Sequence, residues 1–138
     1  MCINTSTVNA KIAESDITTY KLVRHTYRIK GVRTFKPIVY DKFNYTLGSH
    51  YIESRFKDKQ PWMVSDNGFY SWSSFEHAKR ELDSWRRAYT RTGYVLIKCT
   101  IPKGTRYYVS ESGSTFCSEE IRIEAYLKDG KWIDKDNL

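Results

Sequence analysis

Residues 71–93, "SWSSFEHAKRELDSWRRAYTRTG", carry the clearest structural signal in this chain. The apolar side chains in this stretch recur at steps of three and four, which places them on one stripe of an α-helix. They are Phe75, Ala78, Leu82, Trp85 and Tyr89. Ser73 and Glu76 have the spacing of a capping box, and Gly93 stands where a C-terminal cap is expected. The pattern predicts one amphipathic helix that packs on the rest of the protein.

The sequence on either side of this helix favours β-strands. "ITTYKLV" at 17–23 is rich in β-branched and aromatic residues, and "YVLIKCTI" at 94–101 has the composition of a buried central strand. In "FNYTLGSHYIESRF" at 43–56, Gly48 separates two short extended runs at a hairpin or corner. We therefore expect an α+β fold, a mostly antiparallel sheet with one principal helix packed against it, in a single domain that spans residues 1–138.

Two further patterns in the last third of the chain predict local structure. Pro102 and Gly104 in "IPKGT" predict a turn that joins residues 94–101 to "RYYVS" at 106–110 as a hairpin. "EEIRIEAYLK" at 119–128 alternates with period two, which is typical of a strand with one core face and one wet face. The expected core face holds Ile121, Ile123 and Ala125. The expected wet face holds Arg122, Glu124 and Tyr126.

Charge and aromatic content point to an anionic partner. The chain has 23 Lys and Arg against 16 Asp and Glu, a formal net charge of +7, so it attracts phosphate-bearing molecules. Its 11 Tyr and 4 Trp combine an apolar ring with a polar edge, which suits half-wet binding surfaces. Solvated surface charge and a functional basic patch both remain consistent with this composition.

The cysteine and histidine positions favour neither a disulfide framework nor a metal site. Cys2, Cys99 and Cys117 are odd in number and form no C-x-x-C pattern. His25, His50 and His77 are scattered along the chain. We expect no metal and no cofactor.

No catalytic motif of high specificity is present in the sequence. Removal of Met1 would expose Cys2 as a terminal nucleophile, but the resemblance to amidohydrolases that begin in this way covers two residues, so we expect no catalysis by Cys2. A second enzyme interpretation rests on a resemblance to small ADP-ribosyltransferases. It would use Arg24 or His25, the serine-rich "YSWSS" at 70–74, and one of three carboxylates. These are Glu119, Glu120 and Glu124, although they lack the E-x-E spacing of that family. This enzyme remains an alternative.

Targeting signals are absent from the sequence as given. The first twenty residues contain no apolar run flanked by basic residues, and no stretch reaches the roughly twenty apolar residues that a membrane span needs. We expect a cytoplasmic protein with no membrane partner.

Motifs spread over most of the chain resemble a family of small uncharacterised proteins from bacteriophages and their bacterial hosts. They are "MCI" at the start, "DITTYKL", "FNYTLGSHY", "GFYSW" before a helix, and "IPKGTRYY" before "SEEIRI". The resemblance implies a protein made inside an infected or prophage-carrying cell, where it would lie in the host cytoplasm. The shared motifs are strand, turn and helix-cap signatures, and they imply no catalytic residues.

These observations favour a non-catalytic protein that captures a phosphate-bearing ligand. The ligand is either a nucleotide immune signal, in a phage counter-defence role, or a nucleic acid. Candidate phosphate-binding residues are Arg80, Arg86, Arg87 and Arg91 of the helical segment and the strand residues Lys21, Arg24 and Arg106. Candidate stacking residues are Trp62, Trp72 and Tyr107. Inhibition of a host factor through protein contact remains an alternative, and a homo-oligomer is compatible with the sequence.

Overall fold

A computed structural model describes residues 3–4, 10–25, 34–37, 44–56, 63–64, 68–88, 93–110 and 112–137. The N-terminal strands are β1 (Ile3–Asn4), β2 (Lys11–Ile12), β3 (Ile17–His25), β4 (Thr34–Pro37), β5 (Tyr45–Thr46), β6 (His50–Ile52), β7 (Met63–Val64) and β8 (Phe69–Trp72). The helix α1 (Phe75–Ala88) follows. The C-terminal strands are β9 (Tyr94–Ile101), β10 (Arg106–Val109), β11 (Thr115–Ser118), β12 (Glu120–Lys128) and β13 (Lys131–Asp134), before a 3-10 turn at Lys135–Asn137.

One large sheet dominates the described residues. Its strand order is β13-β12-β9-β3-β8-β11-β10-β2, with β4 attached to β3 and β6 attached to β12. The pairs between described strands are antiparallel, and the longest runs from Ile17 opposite Ile101 to Arg24 opposite Tyr94. This sheet, on which the described residues place a single α-helix, confirms the predicted α+β class.

The sheet buries apolar residues on both of its faces. On the face away from the helix, Val23, Ile97 and Ile123 belong to the larger cluster of buried side chains. On the helix face, Leu22 and Leu96 pack with Ala78 and Leu82 of α1. Neighbouring residues of one strand point to opposite faces, so β3 and β9 contribute to both clusters and lie at the centre of the protein.

The N-terminal cap of α1 lies one residue later than predicted. The Ser74 hydroxyl, not that of Ser73, accepts a hydrogen bond from the backbone N–H of His77 at 3.1 Å. The Ser73 N–H instead donates to the carbonyl of Ser114. Gly93, the predicted C-terminal cap, has a φ of 106°. Tyr89 and the other residues between the end of α1 and Gly93 lie outside the described residues, so the cap itself stays a prediction.

The predicted hairpin between residues 94–101 and 106–110 is wrong. The turn forms, with Gly104 at a φ of 87°, but β9 pairs with β3 and β12 while β10 pairs with β2 and β11. The reason is non-local, because the Ala13 N–H and carbonyl bond to Thr105 and Gly104 and hold an earlier segment against the turn. The chain therefore changes neighbours at Gly104 instead of folding back.

The predicted exposure of Tyr126 is also wrong. An irregularity between Ile123 and Ala125 shifts the register of β12 against β9, as a β-bulge does. After the shift, Tyr126 points into the same core cluster as Ile121 and Ile123, and only 2% of its surface is exposed. A strict period of two cannot anticipate this change of face.

Candidate ligand-binding cleft

An open cleft of about 520 Å³ lies at the β2 edge of the large sheet. Its volume falls within the range of about 300–1,000 Å³ that small-molecule sites occupy. Its lining residues are Lys11, Ile12, Glu14, Ser15, Ile17 and Tyr107. Tyr107 is among the predicted stacking residues, so the cleft brings one predicted site residue into a concave surface.

The pairing of β2 with β10 places the Lys11 ammonium and the Tyr107 ring side by side in the cleft. Lys11 is the register partner of Tyr107, so the two side chains stand next to each other on one face of the sheet. The Ala13 N–H donates to the Thr105 carbonyl at 2.9 Å, and the Gly104 N–H donates to the Ala13 carbonyl at 2.8 Å. The turn predicted from Pro102 and Gly104 thus fixes the edge of the cleft.

The segment after β2 is fixed in a similar way. The Asp16 carboxylate accepts a hydrogen bond from the Lys103 N–H at 2.8 Å and lies 3.7 Å from the Arg122 guanidinium. These contacts hold the segment that carries Glu14 and Ser15 against the same turn. The cleft therefore has supported walls on both sides.

The lining residues offer distinct kinds of contact to a ligand. Lys11 is an exposed cation, and Tyr107 is a half-buried ring held by an edge contact to Phe116 at 5.5 Å between centroids. Ile12 leaves 64% of its surface exposed, which is unusual for an isoleucine and gives the cleft an apolar wall. Glu14 adds a carboxylate that can accept hydrogen bonds from hydroxyl groups. Phosphate, an aromatic base and a sugar match these groups.

A second set of cations surrounds Tyr94, and we call it the Tyr94 basic group: Arg24, Lys36 and Arg86. Arg24 pairs in register with Tyr94 on one side and with Lys36 on the other. Arg86 donates from α1 to the Tyr94 carbonyl at 3.2 Å. The structure therefore brings two predicted site residues, Arg24 and Arg86, to one place. Sequence reasoning missed Lys36, because nothing local to residues 34–37 reveals that β4 pairs with β3.

Of the other predicted arginines, Arg87 directly follows Arg86 in the last turn of α1 and is exposed, whereas Arg80 and Arg106 join neither site. Arg80 is exposed on α1. Arg106 forms an ion pair with Glu119, and its guanidinium lies 5.4 Å from the Phe56 ring centroid. Arg91 lies outside the described residues.

The two predicted tryptophans have different outcomes. The Trp72 ring stacks on the His77 imidazole, with centroids 5.6 Å apart and planes 25° apart. A base that used this face of Trp72 would have to displace His77. Trp62 lies outside the described residues.

Lys21 lies on the core side of β3, away from both sites. Its ammonium donates to the Tyr70 carbonyl and lies 5.5 Å from the Tyr45 ring centroid. Desolvation by burial lowers the pKa of Lys21, while the neighbouring thiols of Cys99 and Cys117 act in the opposite direction. Burial raises the pKa of each thiol to about 12, so neither is a thiolate at neutral pH.

The residues of the transferase alternative are separated or already paired. Glu119 bonds to Arg106, Glu120 lies 2.9 Å from His50 Nε2, and Glu124 accepts from Arg122 at 2.6 Å. His25 packs against Phe35 and Tyr126 on the core side, whereas Arg24 lies on the opposite face. These contacts give the transferase no specific support.

Within the described ranges, no three His, Cys, Asp or Glu side chains are grouped as metal ligands. Nor does this part of the chain contain a helix that is long and apolar enough to cross a membrane.

Comparison with family models, curated proteins and solved structures returned no match. The resemblance to phage proteins stays a prediction.

Proposed function

We propose that the protein captures a phosphate-bearing nucleotide in the cleft and releases it unchanged. The observation that carries this proposal is the pairing of Lys11 with Tyr107 along an open, supported cleft. An ammonium beside an aromatic ring offers a charge for a phosphate and a face for a base. Ile12 and Ile17 add apolar contact, and Glu14 can accept hydrogen bonds from ribose hydroxyls.

The cleft favours a small nucleotide over a polymer. One exposed lysine lines it, so a ligand held there neutralises few charges. The motifs that resemble phage proteins extend the proposal to a biological role. In that role the ligand is a nucleotide signal of bacterial immunity, and its capture counters host defence.

Ligand titrations test this proposal directly. Cyclic dinucleotides, ADP-ribose derivatives and short oligonucleotides are titrated into the protein at two salt concentrations, and the recovered ligand is identified by mass spectrometry. We expect one of the small nucleotides to bind with a shallow salt dependence and to be recovered intact. Recovery of a cleaved or transferred product would support the enzyme alternative instead.

Variants of the cleft assign the binding to these residues. Tyr107→Ala should weaken binding about 5- to 150-fold, because stacking of one base contributes about 1–3 kcal/mol. Tyr107→Phe keeps the ring and should bind as the wild type does. Lys11→Gln should weaken binding, whereas Lys128→Gln, which removes an exposed lysine outside the cleft, should not. Equal losses for Lys11→Gln and Lys128→Gln would show that net charge, not the cleft, attracts the ligand.

A further inference from the structure

The Tyr94 basic group lies far from the cleft along the same strand. Ile17, at the start of β3, lines the cleft, and Arg24, near its end, belongs to the basic group. Arg24 lies seven positions after Ile17, which corresponds to about 23 Å at about 3.3 Å per residue in a strand. One small nucleotide in the cleft cannot explain the cations at the other end.

Two of these cations lie side by side on neighbouring strands. Arg24 and Lys36 are register partners, so their side chains project from the same face of the sheet. Arg24 is exposed and makes no ion pair within the described part of the chain. Two cations on one face can contact neighbouring phosphates of one ligand.

The helix adds further positive charge next to this pair. Arg86 reaches the Tyr94 carbonyl, and the exposed Arg87 follows it. The nearest acidic residue along α1 is Asp83, which is hydrogen-bonded to Lys79 at 2.8 Å and also interacts electrostatically with Arg86 and Arg87. In the described residues 83–88, two arginines therefore accompany one carboxylate.

An aromatic side chain borders the same group. The Trp85 ring lies 5.6 Å from the Tyr94 ring, and Trp85 is only partly buried. A single-stranded nucleic acid presents phosphates together with unstacked bases, and proteins that bind it combine cations with aromatic rings. A duplex keeps its bases stacked inside, so they are not available to stack on such a ring.

We propose that the Tyr94 basic group is a second anion-binding surface, which takes the phosphate backbone of single-stranded nucleic acid. It is separate from the cleft and does not depend on what the cleft binds. Arg24 and Lys36 contact phosphates from neighbouring strands. Arg86 and Arg87 extend the contact along the end of α1.

A salt titration with a labelled single-stranded dT oligomer of about 15 nucleotides tests this surface, with affinity measured between about 50 and about 200 mM salt. Each phosphate contact adds about 0.7 to the slope of log K against log salt for a single strand. Arg24→Gln combined with Lys36→Gln should therefore reduce the slope by about 1.4. The charge-matched pair Arg80→Gln with Lys128→Gln, both exposed elsewhere, should leave the slope unchanged. Arg24→Lys keeps the charge and should keep the slope.

Several results would overturn this proposal. Equal slope reductions in the two double variants would mean that the whole charge of the protein, not this surface, attracts the oligomer. Tighter binding of a duplex would reject the single strand. Binding of labelled polyglutamate with no binding of dT would indicate an acidic protein partner instead. Tyr107→Ala should leave dT binding unchanged, so failure here does not reject nucleotide capture in the cleft, and the reverse also holds.

Discussion

Replacement of Lys21 by Met should stabilise the protein. Lys21 places an ammonium on the core side of β3. The ammonium donates a hydrogen bond to the Tyr70 carbonyl and lies near an aromatic ring and two thiols, and within the described residues it has no carboxylate partner. Desolvation is the largest cause of its lowered pKa, which means that the fold disfavours the charged amine. Met has a similar length and volume and carries no charge, so it removes this cost.

The lowered pKa of Lys21 gives the direction of the stability change, and general magnitudes bound its size. Each unit by which the folded pKa lies below the unfolded one corresponds to about 1.4 kcal/mol at a pH where the lysine is charged in both states. Replacement of buried charged groups by apolar residues of similar volume ranges from neutral to about 4 kcal/mol stabilising. The lost hydrogen bond offsets part of this, since bonds to charged groups contribute about 1.5–3 kcal/mol. We expect a net gain of up to about 1–2.5 kcal/mol at neutral pH, which is the upper end of that range less the lost hydrogen bond.

The gain should depend on pH with a defined sign. Because the unfolded chain binds the Lys21 proton more tightly than the folded one, wild-type stability rises as pH increases from the lowered folded pKa to the unfolded value of 10.5. The advantage of Lys21→Met therefore shrinks over that window. Cys99 and Cys117 have raised pKa values and lower the stability of both proteins above pH 9.0. Because Lys21 interacts with both thiols, the difference between the two proteins reports Lys21 alone only below that pH.

Urea titrations from about pH 6 to about pH 10 measure this difference. Lys98→Met is the matched control, because the Lys98 ammonium lies 4.8 Å from the Trp132 ring centroid and its removal should cost about 0.5–1 kcal/mol. A Lys21→Met protein that is less stable than the wild type at neutral pH would falsify the reasoning. A stability difference that stays constant with pH would refute its electrostatic part.

Further predictions concern the helix, a close backbone contact and the N-terminus. Leu82→Ala should lower the free energy of unfolding by about 2–5 kcal/mol, whereas Arg87→Ala should change it by less than about 0.5 kcal/mol; a reversed order in urea would contradict the assigned inward face. Gly68→Ala should be destabilising by about 1–3 kcal/mol, because its Cβ would lie 2.4 Å from the Cys117 sulfur. Adding Cys117→Ala should recover part of that loss in thermal melts, and no recovery would place the strain elsewhere. Cys2→Ala should leave both the melting curve and ligand binding unchanged, and lost binding with an intact fold would restore a role for the thiol.

The fold class could be predicted because its signals are local. The stripe that contains Ala78 and Leu82 and the apolar run from Tyr94 to Ile101 each specify an element within a short window. Strand partners are not local, and the false hairpin after β9 shows the difference. A turn at Gly104 is readable in sequence, but the segment around Ala13 that takes up its hydrogen bonds is not.

The candidate sites were predictable only in part, for the same reason. Tyr107 was proposed for its ring and Arg24 for its charge, but their neighbours Lys11 and Lys36 come from distant strands. Lys21 shows a second limit of prediction from sequence, which concerns the face of the sheet to which a side chain points. Its charge is visible in sequence, but only the β3 register determines that it faces Cys99 and the core.

The central position of β3 determines when the protein can fold during synthesis. Its main partner, β9, leaves the ribosome only after all of α1, and the outer strand β12 follows later still. Before β9 is translated, β3 has β4 as a partner only from Val23 onward, so Leu22 and the earlier part of β3 lack their main strand partner while most of the protein is translated. A fragment that stops before β12 would keep β9 as an exposed apolar edge, which is prone to aggregate. Useful truncations must keep the chain through Lys128.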